Sequence, residues 1–282
     1  MMSQKRIAAI TMVRGDAFYL RKWTAWYGGQ LGEENLYILL DGRDQPLPDW
    51  CPKAHVIPCD RVGGQVARAD KGRIERISDE AARLFAAGYD LVIGTDADEM
   101  LAMDPKLGVG LAEFLSGLDV RTAVSGLGLD VGQKLCEEAD ITADRPFLEQ
   151  RHYAQLGTRY TKASVLGKPL RWGSGFHRVE GHNLHIVKDL YLFHFGYFDM
   201  KRLQERFADA DRLAQGWQRH LDKRSRTIRL VTRKKALDFD RWTRFARRFQ
   251  TVCRPPYAWN KPAMAGLKLV VRIPDRFTAL GL

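Results

Sequence analysis

Short, nearly continuous apolar runs alternate with amphipathic stretches over the N-terminal third of the chain. The run Ile7–Val13 (IAAITMV) is rich in β-formers and stops at Arg14-Gly15-Asp16, which predicts a strand followed by a turn. Phe18, Leu20, Trp23, Trp26 and Tyr27 then recur near helical spacing, predicting a helix over 17–30 closed by Gly28-Gly29 and Gly32. Further strands are predicted at 36–40, ending at Asp41-Gly42, at His55–Cys59, and at 89–95 (YDLVIGT). A helix over 71–87, ended by Gly88, separates the last two. Strands that are apolar throughout and alternate with helices imply an α/β fold whose mostly parallel sheet carries helices on both faces.

Beyond Leu101 the alternation weakens. Strands are predicted at 121–126, 161–166 and 190–195, with a Gly- and His-rich stretch of loop and short strands over 171–187. From Met200 onward the pattern is helical and basic, so the expected division is a sheet domain over 1–200 and a basic helical appendage over 201–282.

Composition narrows the class. With 45% hydrophobic, 10% aromatic and 28% charged residues among 282, the chain is globular, and disorder, collagen-like repeats and a small disulfide scaffold are excluded. The formal net charge of +11 comes from 45 Lys+Arg against 34 Asp+Glu. Residues 1–200 hold 24 basic and 27 acidic side chains and residues 201–282 hold 21 and 7, so the whole surplus lies in the C-terminal part. Cys51, Cys59, Cys136 and Cys253 show no metal-ligand spacing and read as buried free thiols. The N-terminus lacks a signal-peptide pattern and no stretch approaches the ~20 apolar residues of a membrane span, so a cytoplasmic protein is expected, soluble or peripheral on the inner face of the membrane. Neither GxGxxG nor GxxxxGK[ST] occurs.

In a parallel sheet, ligands bind beyond the carboxyl ends of the strands. Arg14, Asp16, Asp41, Asp60, Arg61, Asp96, Asp98 and Glu99 stand there. The stretch LVIGTDADEML delivers Asp96, Asp98 and Glu99 at the end of one strand, and acids at positions i and i+2 suit a hard cation such as Mg²⁺ or Mn²⁺ that also takes phosphate oxygens. An acidic turn capping the next helix is the plainer reading of the same residues.

The strand and helix start TMVRGDAFYLRKW, the second strand ending in Asp, and LVIGTDADEML together resemble the nucleotide-binding half of the GT-A fold glycosyltransferases, in particular the family 2-like bacterial group, over about residues 5–200. The resemblance implies transfer of a sugar from a nucleotide-sugar donor. Asp96 and Asp98 would hold the metal and the diphosphate, and Asp41 with Arg14 and Asp16 would contact the nucleoside. One departure is that Asp41 is followed by Gly42-Arg43-Asp44, where the group carries a polar Asn or Ser. WGSGFHRVEGH followed by LYLFHFGYFD resembles the acceptor side, in which a histidine completes the metal shell: His194 matches best and His177 second.

Inverting transfer needs a carboxylate to deprotonate the acceptor hydroxyl; the candidates are Glu180 and Asp130. Trp172 and His177 are candidate acceptor contacts, through ring stacking in the case of Trp172, and Arg68 and Arg73 candidate donor-phosphate ligands. His182 and His185 have a zinc-like spacing, but no cysteine accompanies them. In the tail, Trp242, Phe245, Phe249 and Val252 recur at helical spacing among Arg241, Arg244, Arg247 and Arg248, which makes 238–253 a candidate contact with an anionic membrane or else a helix packed on the domain with a solvated basic face. The expected function is a metal-dependent glycosyltransferase acting on a cell-envelope glycan or lipid-linked acceptor, with no nucleic-acid partner. The rivals are a metal-dependent phosphoesterase or nucleotidyltransferase and a non-catalytic basic binding module.

Overall fold

The computed structural model describes residues 4–63, 66–207, 225–255 and 260–282, the side chains of 66–69 and 206–207 excepted. Strand β1 (Ile7–Val13) is buried along its whole length, and its alternate residues enter two cores. Ile7, Ala9 and Val13 pack with Tyr19, Leu20, Trp23 and Tyr27 of helix α1 (Ala17–Leu31) on one face of the sheet. Ala8, Ile10 and Met12 pack with Ile74, Ile77, Ala81 and Leu84 of helix α2 (Val66–Ala86) on the other. The two-residue period of a strand makes this double service possible. It also explains why β1 reads as a continuous apolar run.

Strand β1 lies between β2 (Leu36–Asp41) and β4 (Leu91–Gly94), and β2 pairs with β3 (His55–Cys59). All three pairings are parallel, so four carboxyl ends share one edge. Beyond this parallel half the sheet is mixed. The chain turns at Ala97-Asp98 into β5 (Glu99–Met103), which pairs antiparallel with β9 (Ile186–His194), and β9 runs parallel to β6 (Ala123–Val131). The short strand β8 (Val165–Leu166) joins β4 to β6 by antiparallel pairing; β7 (Tyr153–Leu156) extends β6, and β10 (Leu269–Arg272) extends β7.

The remaining α-helices among the described residues are α3 (Leu111–Ser116), α4 (Met200–Phe207), α5 (Arg226–Arg233) and α6 (Phe239–Val252). Helices after Met200 agree with the sequence pattern, but the described C-terminal residues are not an appendage. Strand β10 belongs to the sheet, and Phe239, Ala246, Val271, Phe277 and Leu282 share the core of Tyr191 and Phe193. Arg276 grips buried Asp104 through Nε–Oδ1 at 2.8 Å and Nη2–Oδ2 at 2.9 Å, and also Asp240 of α6 at 2.6 Å. Helix α6 buries Thr243, Ala246 and Gln250 and leaves Arg241, Arg244, Phe245 and Arg248 exposed.

No helix among the described residues is long and apolar enough to cross a membrane. All four cysteines are free; only Cys51 is fully buried, and Cys136 is exposed, in a loop, where the sequence reading placed a buried thiol.

Candidate metal centre

Strand register assembles the site. Glu99, the first residue of β5, stands opposite His194, the last of β9, and His194 stands opposite Asp130 of β6. Residues opposite one another on neighbouring strands share a face with their side chains in reach, so three strands present Glu99, His194 and Asp130 in one row. The turn from β4, closed by the Glu99 N–H donating to the Asp96 carbonyl at 3.0 Å, adds Asp98 beside them. Asp98, Glu99 and His194 each bring one ligand atom into a group whose members all lie within 4.8 Å of one another, and this group can hold a metal ion. It is the one such group among the described residues. Glu99 and His194 are buried and Asp98 is half-buried.

Gly196 completes the space. A Cβ there would lie 2.3 Å from Asp98 Oδ2 and 2.7 Å from His194 Nε2, atoms that are themselves 3.8 Å apart. The missing side chain leaves room between the two ligands, and two carboxylates with an imidazole form a donor set suited to a divalent cation.

Charge is distributed unevenly around this gap. Lys162, 3% exposed at its side chain, sits with Nζ 2.5 Å from Glu99 Oε1 and 2.9 Å from Asp96 Oδ2. Burial pushes the Glu99 carboxyl up to about 7, with Lys162 opposing and Asp96 adding to the rise. Burial also works against charge on Lys162, but Asp96 and Glu99 outweigh it and hold the ammonium above its usual range. Asp96 stays below the usual carboxylate range despite its burial, because Lys162 and Arg73 face it. For His194 burial favours the neutral ring; the hydrogen bond to Asp130 and the charges of Asp98 and Asp130 prevail, and its pKa is raised. Tyr160 stacks on the His194 ring at 3.7 Å between centroids and 14° between planes. The Thr227 hydroxyl of α5 donates to Asp130 Oδ2.

The sequence candidates fall into groups. Asp98 and His194 come together in the metal group. Asp96 does not join it: its carboxylate turns to Lys162, and Glu99 takes the third place. Asp130 is engaged at both oxygens: one lies 2.7 Å from His194 Nδ1 and the other accepts from Thr227. Glu180 is exposed at the end of a hairpin bridged at Trp172 and Val179, which packs on α2 through the Trp172 N–H to Ser78 Oγ bond. Trp172 belongs to the core at 5% exposure; its indole N–H donates to the Ala163 carbonyl at 2.7 Å and its ring covers Gly94, which leaves no face for a sugar. His177, at the tip of this hairpin, is half-buried within the field of Lys162 and Asp96.

Among the donor candidates, Arg14, Asp16 and Gly196 line one cleft of about 270 Å³, with Tyr19, Asp199 and Arg202 on its other sides. Gly196 therefore borders both this cleft and the metal group. Arg14 also pairs with Asp44 in a two-bond fork at 2.8 and 3.0 Å. Asp41 is buried and accepts from the Val62 amide at 2.8 Å, and Arg73 donates to the Met12 carbonyl at 2.6 Å. The side chain of Arg68 lies outside the described residues. His182 and His185 are exposed and belong to no metal group.

Lys162, Tyr160, Gly196 and Thr227 were not singled out from the sequence. Lys162 left a trace, a lone charge inside the predicted strand 161–166. Thr227, distant in sequence from every strand of the site, left none. The chain matches no protein-family model and no curated protein.

Proposed function

We propose that the protein is a metal-dependent glycosyltransferase of the GT-A, family 2-like kind, moving a sugar with inversion from a nucleotide-sugar donor to a cell-envelope glycan or lipid-linked acceptor. The observation that carries this reading is the Asp98, Glu99 and His194 group at the carboxyl edge of β4, with Gly196 bordering both this group and the cleft at the end of β1. Mn²⁺ or Mg²⁺ held by those three residues supplies the positive charge that stabilises a departing diphosphate. Asp130 orients the His194 ring so that Nε2 faces the gap, as carboxylate partners of ligating histidines do. Lys162 offsets the charge of Glu99 and Asp96. Arg14, Asp16 and the backbone at Gly15 offer polar contacts for the nucleoside side of the donor. The exposed Arg241, Arg244 and Arg248 of α6 support docking at the anionic cytoplasmic membrane surface, where a lipid-linked acceptor resides.

The test is calorimetric titration of UDP and GDP with and without Mn²⁺. Binding that needs the metal and disappears in Asp98→Ala supports the reading; binding unchanged in that variant overturns it. Identifying the leaving product as a nucleoside diphosphate, rather than phosphate or pyrophosphate, separates it from a phosphoesterase or nucleotidyltransferase.

A further inference from the structure

Lys162 is enclosed beside the metal group, with its side chain 3% exposed, and two carboxylates meet its ammonium: Glu99 at 2.5 Å and Asp96 at 2.9 Å. The rings of Phe176 and Tyr160 stand 5.7 and 5.8 Å from Nζ, so apolar walls replace water on those sides. The segment that carries the lysine is pinned to the sheet. The Gly128 N–H of β6 donates to Thr161 Oγ1 at 2.9 Å, the Trp172 indole N–H to the Ala163 carbonyl at 2.7 Å, and the Gly94 N–H of β4 to the Ser164 carbonyl at 2.8 Å. Tyr160, two residues before the lysine, stacks on His194. One segment thus sets a ring against one member of the metal group and an ammonium against another.

This placement acts in two directions. While no cation stands between Asp98, Glu99 and His194, Lys162 is the positive charge that lets Glu99, 1% exposed, be buried as a carboxylate with Asp96 beside it. A divalent ion held by the group would share Glu99 with that ammonium, and two cations on one carboxylate repel. The same lysine therefore supports the empty centre and opposes the filled one.

We infer that Lys162 is the resident counter-ion of this centre: it supplies the balancing positive charge while the metal group is empty, and it keeps a bound metal loosely held and exchangeable. Asp96, the acid that the sequence pattern offers as a ligand, is engaged by the lysine instead. The inference rests on the metal reading of Asp98, Glu99 and His194 and on no assumption about the reaction performed there.

The experiment titrates Mn²⁺ into the full-length, chelator-treated protein, followed by paramagnetic resonance, and records melting with and without the ion. In Lys162→Met the affinity for Mn²⁺ should rise by about tenfold or more. The metal-free variant should melt roughly 5 °C or more below the wild type, and Mn²⁺ should close most of that gap. Lys162→Arg, which keeps the charge, should stay closer to the wild type in both readings. A lysine that only fills space would give the opposite order, since methionine replaces its bulk more closely than arginine does. Should Lys162→Met not fold without metal, Lys162→Met/Asp96→Asn is compared with Asp96→Asn alone, which removes one of the two stranded carboxylates, and the same rise in affinity is expected. Affinity that is unchanged or weaker without the lysine overturns the inference, while Mn²⁺ binding lost in Asp98→Ala upholds the metal reading. A wild-type protein that binds neither Mn²⁺ nor Mg²⁺ sinks the metal reading itself.

Discussion

His194 Nδ1 and Asp130 Oδ1 lie 2.7 Å apart, joined across neighbouring parallel strands. With the Nδ1 proton donated to Asp130, the lone pair of a neutral ring is directed from Nε2 toward Asp98. Asp130→Asn keeps the size and loses the charge, so Mn²⁺ affinity should fall about 10- to 100-fold, the usual penalty for losing such a partner. Manganese paramagnetic resonance titration measures this directly. An unchanged affinity would mean that the histidine is oriented by packing under Tyr160 instead.

Gly196→Ala should separate the metal from the fold. The glycine's φ is not in the left-handed region, so alanine is conformationally acceptable, yet its methyl would enter the space between Asp98 and His194. Without metal the variant should melt somewhat below the wild type, because the methyl must displace Asp98 or the packed His194 ring, and it should lose the stabilisation that Mn²⁺ gives the wild type. Differential scanning with and without the ion reads both.

Gly128→Ala should damage the same centre from behind. A Cβ on this β6 residue would fall 2.3 Å from the Tyr160 carbonyl carbon and 2.4 Å from the Thr161 nitrogen, backbone atoms that cannot swing aside. Overpacking of this kind costs about 1–3 kcal/mol. Because the displaced loop carries Tyr160, metal affinity should drop together with denaturation midpoint.

Stability should rise with pH across the interval set by His177. Burial and the neighbouring Lys162, Lys261 and Arg159 lower its pKa to about 4, against an ordinary 6.5. Between those values the unfolded chain binds a proton that the folded protein refuses. Stability is therefore full above about 6.5 and declines as pH falls toward 4, by no more than about 3 kcal/mol. Urea denaturation of His177→Gln over this interval should show a shallower slope than the wild type.

The C-terminal residues should prove necessary for folding. Arg276→Ala removes the fork on Asp104, a carboxylate with no solvent exposure, and leaves it with Lys106 at 3.1 Å. Breaking a buried pair from one side costs roughly 3–5 kcal/mol; the remaining lysine should bring the loss to the lower end. Equilibrium unfolding checks this, and a change below about 1 kcal/mol would indicate that the tail is held by Phe277 and Leu282 alone.

The parallel half of the fold was legible because its signals are local. A strand covered on both faces reads as an unbroken apolar run, as in Ile7–Val13, and the polar residues that stop each run mark the edge where ligands approach. Asp98 belongs to that class of signal, being placed by the end of its own strand. Strand β5 was missed because its residues, EMLAM, follow the acids without any glycine or proline to announce a reversal. For Trp172 nothing in WGSG distinguishes a ring packed on Gly94 from one offered to solvent, and the fold places it in the core.

The sequence by itself determined the alternation of strands and helices, the carboxyl edge with its acids, and the concentration of positive charge after residue 200, all of which depend on neighbours within a few positions. Which acids stand together was decided only by tertiary structure. Pairing of β5 and β6 with β9 sets Glu99 and Asp130 on either side of His194, and Lys162 draws Asp96 away from the group. Those relationships join residues tens of positions apart, and register between distant strands is written in no local pattern.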